Sequence, residues 1–362
     1  MLDDFKKNSK ANILLFTLEY APFKGGVANV YQNIVRYWND SDIFVLTGQK
    51  LLKPHWIFSF FYLLKEVKNR KINVVMVGHI LPLGTVTYFL AKFINIKYVV
   101  FLHGMDLATA LQIKRKKKMA QKILARADKI ICMNSRVEKI LHEELSGDFK
   151  DKTFMINPGV LVDEQAKTVC KELVQKYNLT NKKILLQVGR LVDRKGIDKV
   201  LEVMPDVLSV CPDLVYVIIG SGGQQNNYEL LIKNNKLQNN VIFITDADDD
   251  ELNSWYELCD FFIMIARENN NDFEGFGIVY LEANAHGKPV VAGDSGGVRD
   301  VVQNGVNGLL VDPQNTTAIK NAIIKLYQNE DLRQALGEGG KERVKDFFWP
   351  KQVKKIQQII LF

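Results

Sequence analysis

The sequence predicts an α/β protein built from two doubly wound, Rossmann-like parallel sheets in tandem. The chain has 362 residues, more than twice a usual domain of about 100–150 residues, so we expect two domains with separate cores. Short apolar runs alternate with amphipathic segments, which is typical of parallel sheets covered by helices. The alternation begins again near residue 184, after an Asn-Pro-Gly break at 157–159.

Six apolar runs in each half are predicted to be strands. Most are nearly continuous in apolar residues, as strands covered on both faces are. The runs cover residues 12–18, 42–48, 74–78, 98–104, 129–134 and 153–157, and then 184–190, 214–220, 241–245, 261–266, 289–293 and 308–312. We therefore predict domains at 1–160 and 161–346, followed by a helix, 347–362, that could pack back on the N-terminal domain.

Composition and charge exclude several classes of protein. Hydrophobic residues make up 47% and charged residues 25% of the chain, which is ordinary for a globular protein. The longest apolar run, 56–64, is too short to span a membrane, and the N-terminus does not resemble a signal peptide, so a cytoplasmic location is expected. The four cysteines have neither zinc nor disulfide spacing, and no nucleic-acid motif accompanies the net charge of +7.

Two stretches of the first half raise the question of a membrane surface. The basic run Lys114–Lys118 is either a solvated helix face or a patch for anionic lipid or an acidic acceptor. Residues 55–71 are amphipathic and rich in aromatic side chains, which fits either a packed helix or a helix on a membrane surface. We favour the first interpretation of each stretch. Together they leave peripheral attachment to the inner face of the cytoplasmic membrane as a hypothesis.

The residues that leave each strand are the candidate site residues, because ligands of such sheets bind at the carboxyl ends of strands. Gly25 and Gly26 follow the first strand and precede a helix, so their backbone could approach a ligand closely. His103 and Gly104 follow the fourth strand directly. Such glycines and histidines are also common in structural turns and cores, but the position of His103 favours a functional role.

Charged residues follow the strands of the second half. Arg190 and Lys195 are five residues apart and lie beside glycines, and this pair suits a diphosphate or, equally, a solvated basic loop. Glu274 lies in a glycine-bracketed loop, and Glu282 lies inside the helix that follows it. A carboxylate at the position of Glu282 could bind a sugar hydroxyl of a nucleotide whose phosphate lies at the start of that helix.

The start of that helix is itself a predicted anion site. The N–H groups of Gly277, Ile278 and Val279 fall in its first turn, where no intrahelical partner exists, so they are available to a phosphate. Two other stretches are given structural interpretations. The acidic run 246–250 is predicted to cap a helix rather than bind a metal, and the glycine-rich stretch 220–225 is wrongly placed for a dinucleotide fingerprint.

The chain resembles, over nearly all of its length, the retaining glycosyltransferases of family 4, which have the two-domain GT-B fold. The E-x7-E motif within EGFGIVYLEA is the most specific resemblance, and GFGIVYLEANAHGKPVVAGDSGG is nearest in wording to the phosphatidylinositol mannosyltransferases. The resemblance implies two Rossmann-like domains facing each other across a cleft. The remaining motifs that carry it are Gly25-Gly26, His103-Gly104, Asn157-Pro158-Gly159-Val160, Gly189-Arg190 and Lys195-Gly196.

The resemblance also implies a role for each matched residue of the second half. Arg190 and Lys195 would hold the donor diphosphate and stabilise the charge that builds on it, which is usually the largest catalytic term. Glu282 would bind the ribose hydroxyls, and Glu274 the hydroxyls of the transferred sugar. In the first half, which would bind the acceptor, His103 would lie by the donor sugar.

The implied reaction moves a hexose of the mannose, glucose or N-acetylhexosamine type from a nucleotide diphosphate sugar to a glycan or lipid-linked acceptor. Configuration would be retained, no metal or other cofactor would be needed, and Gly25 and Gly26 would bring backbone to the phosphates. The product would belong to cell-surface polysaccharide or glycolipid synthesis. GDP-mannose and UDP-sugars both remain open as donors.

Two other functions are considered. A nucleotide-sugar 2-epimerase of the same fold would convert the sugar without an acceptor, and the E-x7-E motif argues against it. A non-catalytic binder of nucleotide sugars would not need the complete set of charged residues that the sequence carries.

Overall fold

The computed structural model describes residues 12–23, 25–38, 43–47, 55–161, 169–269 and 272–361. The chain divides into two compact units, one formed by residues 1–159 and 349–362 and the other by residues 160–348. Each unit contains a six-stranded sheet in which every paired strand is parallel. The predicted α/β fold with two Rossmann-like sheets is confirmed, and all twelve predicted strands are present, with ends within two residues of the prediction.

The first unit has the sheet order β2-β1-β3-β4-β5-β6. Its central strands β1 and β3 are buried at every position, as strands covered on both faces must be. The strands are β1 (Ile13–Thr17), β2 (Ile43–Thr47), β3 (Val74–Val77), β4 (Lys97–Leu102), β5 (Lys129–Cys132) and β6 (Thr153–Met155). The helices are α1 (Gly26–Arg36), α2 (His55–Asn69), α3 (Leu83–Phe93), α4 (Met105–Leu111), α5 (Lys114–Arg126), α6 (Ser135–Glu144) and, from the C-terminus, α15 (Trp349–Leu361).

The second unit has the sheet order β12-β11-β10-β7-β8-β9. Its strands are β7 (Lys183–Val188), β8 (Leu214–Ile219), β9 (Val241–Ile244), β10 (Phe261–Met264), β11 (Val290–Gly293) and β12 (Gly308–Val311). Its helices are α7 (Val169–Lys176), α8 (Ile197–Val210), α9 (Gln225–Asn234), α10 (Asp249–Leu258), α11 (Ile278–Ala285), α12 (Val298–Val301), α13 (Thr316–Gln328) and α14 (Glu330–Val344).

Each sheet has one place where the strand order reverses. In the first unit this is the neighbouring pair β1 and β3, and in the second it is the pair β7 and β10. Crossover connections leave such a pair in opposite directions, which opens a crevice outside the carboxyl ends of the two strands where ligands bind. The residues that follow β1, β3, β7 and β10 are therefore the ones to inspect for function.

The C-terminal helix α15 packs on the first unit. Trp349, Val353 and Ile356 are buried in the same apolar core as Tyr31 of α1. The Asn-Pro-Gly break makes room for this packing, because a Cβ added at Gly159 would lie 2.6 Å from Cδ2 of the Trp349 indole. The final helix therefore packs on the N-terminal unit, which the sequence had left as a possibility.

The acidic run in the second unit caps a helix, as predicted. The Asp248 carboxylate accepts a hydrogen bond of 2.8 Å from the backbone N–H of Glu251 at the start of α10. Asn134, Asn315 and Asn329 cap α6, α13 and α14 in the same way. These short polar side chains explain where the helices begin.

Helix α2 confirms that the aromatic segment 55–71 is helical and amphipathic. Leu63 and Val67 are buried, whereas Phe58, Phe61 and Tyr62 are 43%, 65% and 41% exposed. The segment is therefore a packed helix that presents aromatic rings to the surface. None of the helices in the described part of the chain combines the length and the apolar character needed to cross a membrane. Residues 1–11, which bear on the signal-peptide prediction, lie outside the described residues.

Candidate active site

The crevice of the second unit is formed by the two chain segments that leave β7 and β10. After β7 the chain makes a 3-10 turn, Asp193–Lys195, and Gly196, the N-cap of α8, has a left-handed φ of 68°. A Cβ added at Gly196 would lie 2.0 Å from the carbonyl oxygen of Ile265, so the two segments touch through their backbones. Both the left-handed φ and the close approach of the Ile265 carbonyl oxygen require glycine at position 196. The Lys195 amine lies 3.3 Å from the sulfur of Met264.

Glu274 is buried in this crevice between two cations. The Lys195 amine lies 2.7 Å from Oε2 of Glu274, and the guanidinium of Arg194 donates to the same oxygen. All three residues are at most 8% exposed. Arg194 also forms an ion pair with Asp272, with 3.1 Å between Nε and Oδ1. The predicted site residues Lys195 and Glu274 are therefore brought into direct contact.

The two cations decide the ionisation of Glu274. Burial by itself raises the pKa of this carboxyl, but the charges and hydrogen bonds of Lys195 and Arg194 outweigh burial and lower the pKa below its ordinary value. Burial also lowers the pKa of the Lys195 amine, and the charge of Glu274 offsets part of this decrease. The carboxylate is thus held ionised and in a fixed position by two cations that both contact Oε2.

The backbone of Glu274 is fixed by the loop that follows β11. The N–H of Gly297 donates to the carbonyl oxygen of Glu274 at 2.9 Å. A Cβ at Gly296, whose φ is 60°, would lie 2.3 Å from that oxygen. The glycines of the stretch DSGG therefore let the loop after β11 approach the backbone of Glu274 closely. This contact holds the loop that carries Glu274.

Helix α11 begins at Ile278, four residues after Glu274, as predicted. Gly277 is its N-cap with a left-handed φ of 79°, and a Cβ there would lie 2.6 Å from the Tyr280 ring. The N–H groups of Gly277, Ile278 and Val279 therefore fall before or within the first turn, where the helix offers them no acceptor. The structure therefore places these N–H groups at a helix N-terminus, and the anion site there stays a prediction.

Glu282 lies on α11 and is held by a residue of α10. The hydroxyl of Tyr256 donates to Oε2 of Glu282 at 2.7 Å, and the Tyr256 ring stacks on His286 at a centroid distance of 5.7 Å. Burial raises the pKa of Glu282, and the Tyr256 hydrogen bond and the Lys195 charge act in the opposite direction. Lys195 is thus close enough to influence both glutamates of the E-x7-E motif.

Arg190 is exposed and lies two residues beyond the end of β7. Its charge is one of those that lower the pKa of Lys195, which places it in the same electrostatic environment. Sequence reasoning missed Arg194 and Tyr256. In the sequence, Arg194 is only the neighbour of Lys195. The 3-10 turn directs both side chains to one carboxylate, and this turn is known only from the structure. No local pattern marks Tyr256.

In the first unit His103 follows β4 and contacts Tyr31. Its Nε2 lies 2.6 Å from the Tyr31 hydroxyl oxygen, and that hydroxyl donates its proton to the carbonyl oxygen of Gly78 at 2.9 Å. Nε2 of His103 must therefore carry the proton and donate to Tyr31, which leaves Nδ1 as an acceptor. Burial, with a smaller effect of His79, lowers the pKa of His103 to about 3, so the ring is neutral at physiological pH.

Gly25 and Gly26 lie where α1 begins. Gly25 is the N-cap in extended backbone, and a Cβ added at Gly26 would meet nothing within 4 Å. Packing among the described residues therefore does not require glycine at position 26. Lys24, which precedes the pair, lies outside the described residues.

Three comparisons place this geometry among known proteins. Residues 170–343 match the family described as glycosyl transferases group 1. An uncharacterized glycosyltransferase of Methanocaldococcus jannaschii is 27% identical over 360 residues, 94% of this chain and 95% of that protein. A GDP-mannose-dependent alpha-(1-6)-phosphatidylinositol monomannoside mannosyltransferase of Mycobacterium tuberculosis is 34% identical over 175 residues, but these cover only 48% of this chain and 46% of that protein.

The fold has a close structural match. The crystal structure of HepE from Anabaena in complex with UDP has a TM-score of 0.80 to this chain, with 17% sequence identity, and the match covers 96% of this chain and 98% of HepE. This similarity concerns the fold alone. Residues 170–343 are thus similar to the group 1 glycosyltransferases, and the two parallel six-stranded sheets of the chain have the architecture of the GT-B fold.

Proposed function

We propose that the protein is a retaining hexosyltransferase that takes a hexose from a nucleotide diphosphate sugar and transfers it to a glycan or lipid-linked acceptor. The observation that carries the proposal is the buried contact of Glu274 with Lys195 and Arg194 beside the open start of α11. A carboxylate that can bind sugar hydroxyls, together with cations and backbone N–H groups that can bind phosphates, would suit a sugar diphosphate.

The donor would lie along α11 and the end of β7. Its diphosphate would be bound by Arg190, by Lys195 and by the N–H groups that precede the first full turn of α11. Glu282, one turn further along the helix, would accept hydrogen bonds from the ribose hydroxyls through the oxygen that Tyr256 leaves open. Glu274 would accept from hydroxyls of the hexose through Oε1.

The ionisation of Glu274 supports retention of configuration. A carboxylate whose pKa is lowered by two contacting cations is a weak base and a weak nucleophile. Glu274 is therefore poorly suited to deprotonate the acceptor or to attack the sugar. The departing phosphate oxygen would take the acceptor's proton instead, so the acceptor attacks on the face that the diphosphate leaves.

Positive charge supplied by the protein would stabilise the leaving diphosphate. Lys195 and Arg190 would offset the charge that develops as the glycosidic bond breaks, with Lys195 exchanging part of its contact with Glu274 for the phosphate. We therefore propose a reaction that proceeds without a metal ion. Nucleotide-dependent stabilisation of the protein that is equal in magnesium and in EDTA would support this, and a strict need for magnesium would contradict it.

His103 would bind a sugar hydroxyl as a hydrogen-bond acceptor. With Nε2 committed to Tyr31 and a pKa of about 3, the ring can accept a hydroxyl proton at Nδ1 but cannot act as a general acid at neutral pH. The open space at Gly26 would allow its backbone to approach a phosphate. These are positioning contacts, and the charge on the diphosphate would be stabilised by the second unit.

The identity of the nucleotide is left to experiment. HepE was crystallised with UDP and with UDP-glucose, and the mycobacterial relative is GDP-mannose-dependent. We would measure thermal stabilisation by GDP, UDP and ADP, each with its common sugars, using Glu274→Gln as the comparison. One base should stabilise the wild type, and no stabilisation by any of the three would refute the proposed donor site.

Product analysis separates the transferase from the two alternatives. A transferase with its preferred donor should release nucleoside diphosphate together with glycosylated acceptor, whereas a 2-epimerase would return an altered sugar without any acceptor. Glu274→Gln should lose turnover far more than nucleotide affinity. Unchanged sugar nucleotide with tight binding would instead indicate a non-catalytic binder.

We also propose that the first unit attaches to an anionic membrane surface. Phe58, Phe61 and Tyr62 of α2 present aromatic rings to solvent, and α5 begins with the basic run Lys114–Lys118. Positive side chains are unfavourable at a helix N-terminus, so a negatively charged surface there would relieve their repulsion. The protein should float with anionic vesicles at low salt. Failure to float, or flotation unchanged by Phe61→Ser, would count against the proposal.

A further inference from the structure

The ring of Tyr256 is fixed by its neighbours in the second unit. It stacks on the imidazole of His286, with 5.7 Å between the ring centroids and 15° between the ring planes, and its centroid lies 6.1 Å from that of Phe262. His286 is held in turn, because its Nδ1 lies 3.1 Å from Oε2 of Glu257. Tyr256 is buried, with only 3% of the residue exposed. The position of its hydroxyl is therefore set by packing within the unit.

The hydroxyl of Tyr256 is a permanent hydrogen-bond donor. Burial raises its pKa well above the ordinary value, and the negative charge of Glu282 raises it further. The hydroxyl therefore keeps its proton at physiological pH, and it donates to Oε2 of Glu282 at 2.7 Å. Glu282 is itself only partly buried, and this hydrogen bond occupies one of its two carboxylate oxygens.

The two glutamates of the E-x7-E motif are held by different kinds of partner. Glu274 contacts two cations, whereas Glu282 accepts from the neutral hydroxyl of Tyr256. A neutral donor fixes the direction of a carboxylate without neutralising it, so the negative charge remains for further hydrogen bonds. Hydrogen bonds to an ionised acceptor are about twice as strong as those between neutral groups. The Tyr256 contact therefore suits Glu282 to accept from hydroxyl groups of a ligand.

A fixed carboxylate also binds a ligand more tightly than a mobile one. A glutamate side chain has several rotatable bonds, and ordering it on binding reduces affinity. Tyr256 orders Glu282 when the protein folds, so this loss of entropy does not accompany the binding step.

We propose that Tyr256 is a positioning residue for the ribose of the donor. Its hydroxyl holds Glu282 in the orientation in which the carboxylate accepts from the ribose hydroxyls, and it thereby sets how strongly the site prefers a ribonucleotide to a deoxyribonucleotide. This inference rests on the proposed function, because it concerns the donor site of that reaction. It adds a residue of α10 to a site otherwise formed by the segments that follow β7 and β10.

Calorimetric titration of the full chain with nucleotides tests the inference. The probes are UDP, GDP and ADP, together with the 2′-deoxy and 3′-deoxy forms of whichever of these the wild type binds. The wild type should bind the ribonucleotide about tenfold more tightly than at least one of its deoxy forms, as the loss of a hydrogen bond to a charged group predicts. A wild type that binds nucleotides without any ribose preference would overturn the inference.

Tyr256→Phe is the decisive variant, because it keeps the stacked ring and removes only the hydroxyl. We expect its affinity for the ribonucleotide to fall about fivefold, as the loss of one hydrogen bond predicts, and its affinity for that deoxy form to stay unchanged. The ribose preference should therefore fall to about twofold. Equal losses for both nucleotides would show that the hydroxyl matters for structure alone, and they would overturn the inference.

The pH dependence of the affinity is a second readout. The groups that act on the charge of Glu282 are Tyr256 and Asp249 of α10 and Lys195 of the turn after β7. Burial raises the pKa of Glu282 and the Tyr256 hydrogen bond opposes this effect, so loss of the hydroxyl raises that pKa further. Ribose binding by the ionised carboxylate is lost as the pH falls through its pKa. The affinity of Tyr256→Phe should therefore begin to fall at a higher pH than that of the wild type, and identical profiles would contradict the inference.

Two comparisons separate the effect on Glu282 from a general loss of stability. Tyr98→Phe removes another buried hydroxyl, which donates to the Ile123 carbonyl oxygen at 2.6 Å in the first unit, and it should leave the ribose preference unchanged. Glu282→Gln by itself should abolish most of the preference. Adding Tyr256→Phe to Glu282→Gln should then lower the affinity by less than about twofold, because Tyr256 acts through the carboxylate. A further loss of about fivefold in the double variant would overturn the inference.

The outcomes also separate this inference from the proposed function. Nucleotide binding with a ribose preference that Tyr256→Phe leaves intact would overturn the role of Tyr256 and leave the donor site standing. No binding of any nucleotide by the wild type would refute the proposed function itself, and the role of Tyr256 with it.

Discussion

Glu274→Gln should destabilise the second unit, because it removes the charge that neutralises two buried cations. The side chains of Lys195, Arg194 and Glu274 are only 9%, 10% and 10% exposed. Removing one partner of a buried ion pair costs about 3–5 kcal/mol, since the remaining charge is uncompensated. Two features favour the lower end: Lys195 can lose its proton, because burial already lowers its pKa, and Arg194 keeps its ion pair with Asp272. We therefore expect a loss of about 3 kcal/mol.

The assay is thermal and urea unfolding of the full chain at pH 7. For a unit of this size, 1 kcal/mol corresponds to about 2–4 °C, so the transition of the second unit should fall by about 6–12 °C. Lys195→Met is the comparison, because it removes one cation while Glu274 keeps Arg194, and it should cost less. In the double variant the loss should be smaller than the sum of the two single losses.

The pH dependence provides a second check on the same contact. The pKa of Glu274 is lower in the folded than in the unfolded protein, so its stabilisation is present above the unfolded-state pKa and is lost as the pH falls through the folded-state pKa. The difference between wild type and Glu274→Gln should therefore shrink in acid. A difference below about 0.5 kcal/mol at pH 7, which is the range of ordinary surface substitutions, would refute the reasoning.

Three further predictions follow from single residues. Glu282→Gln should raise stability at neutral pH, because burial raises the pKa of Glu282 and the folded state therefore disfavours its charge. The same variant should weaken nucleotide binding, because Glu282 is proposed to bind the ribose. Unfolding and nucleotide titration measure the two effects, and a loss of stability at pH 7 would contradict the first. Asp248→Ala should cost about 1 kcal/mol through loss of the cap on Glu251, measured by urea unfolding, with the exposed Asp250→Ala as control. Gly26→Ala should leave the melting temperature unchanged, because the added Cβ meets nothing within 4 Å. It should lower the rate of sugar transfer, because the backbone at position 26 is proposed to approach the donor phosphates.

The fold could be predicted because its pattern is local. A strand of a parallel sheet covered on both faces must be apolar at nearly every position, so each strand is visible within five or six residues of sequence. Glycines such as Gly196 and Gly277 mark strand ends and helix starts for an equally local reason, because they have left-handed φ values. The sites at the strand ends could then be predicted from the general behaviour of doubly wound sheets.

The partners of the site residues could not be predicted in this way. Tyr256 and Glu282 are 26 residues apart, and Tyr31 and His103 are 72 residues apart. No periodicity links positions on different helices and strands, so these contacts depend on how the elements pack. For the same reason, the contact between Lys195 and Glu274, which are 79 residues apart, could not be predicted, and Lys195 was assigned to the diphosphate only.

The sequence by itself determined the two-sheet architecture, the positions of the strand ends and the chemical types of the residues placed there, because backbone hydrogen bonding and burial restrict each segment independently. Only the tertiary structure decided the ionisation and orientation of those residues. Glu274 is ionised because two cations from the turn after β7 contact it, and His103 is a hydrogen-bond acceptor because Tyr31 takes its proton-bearing nitrogen. Charge and tautomer depend on neighbours in space, which the order of residues along the chain does not specify.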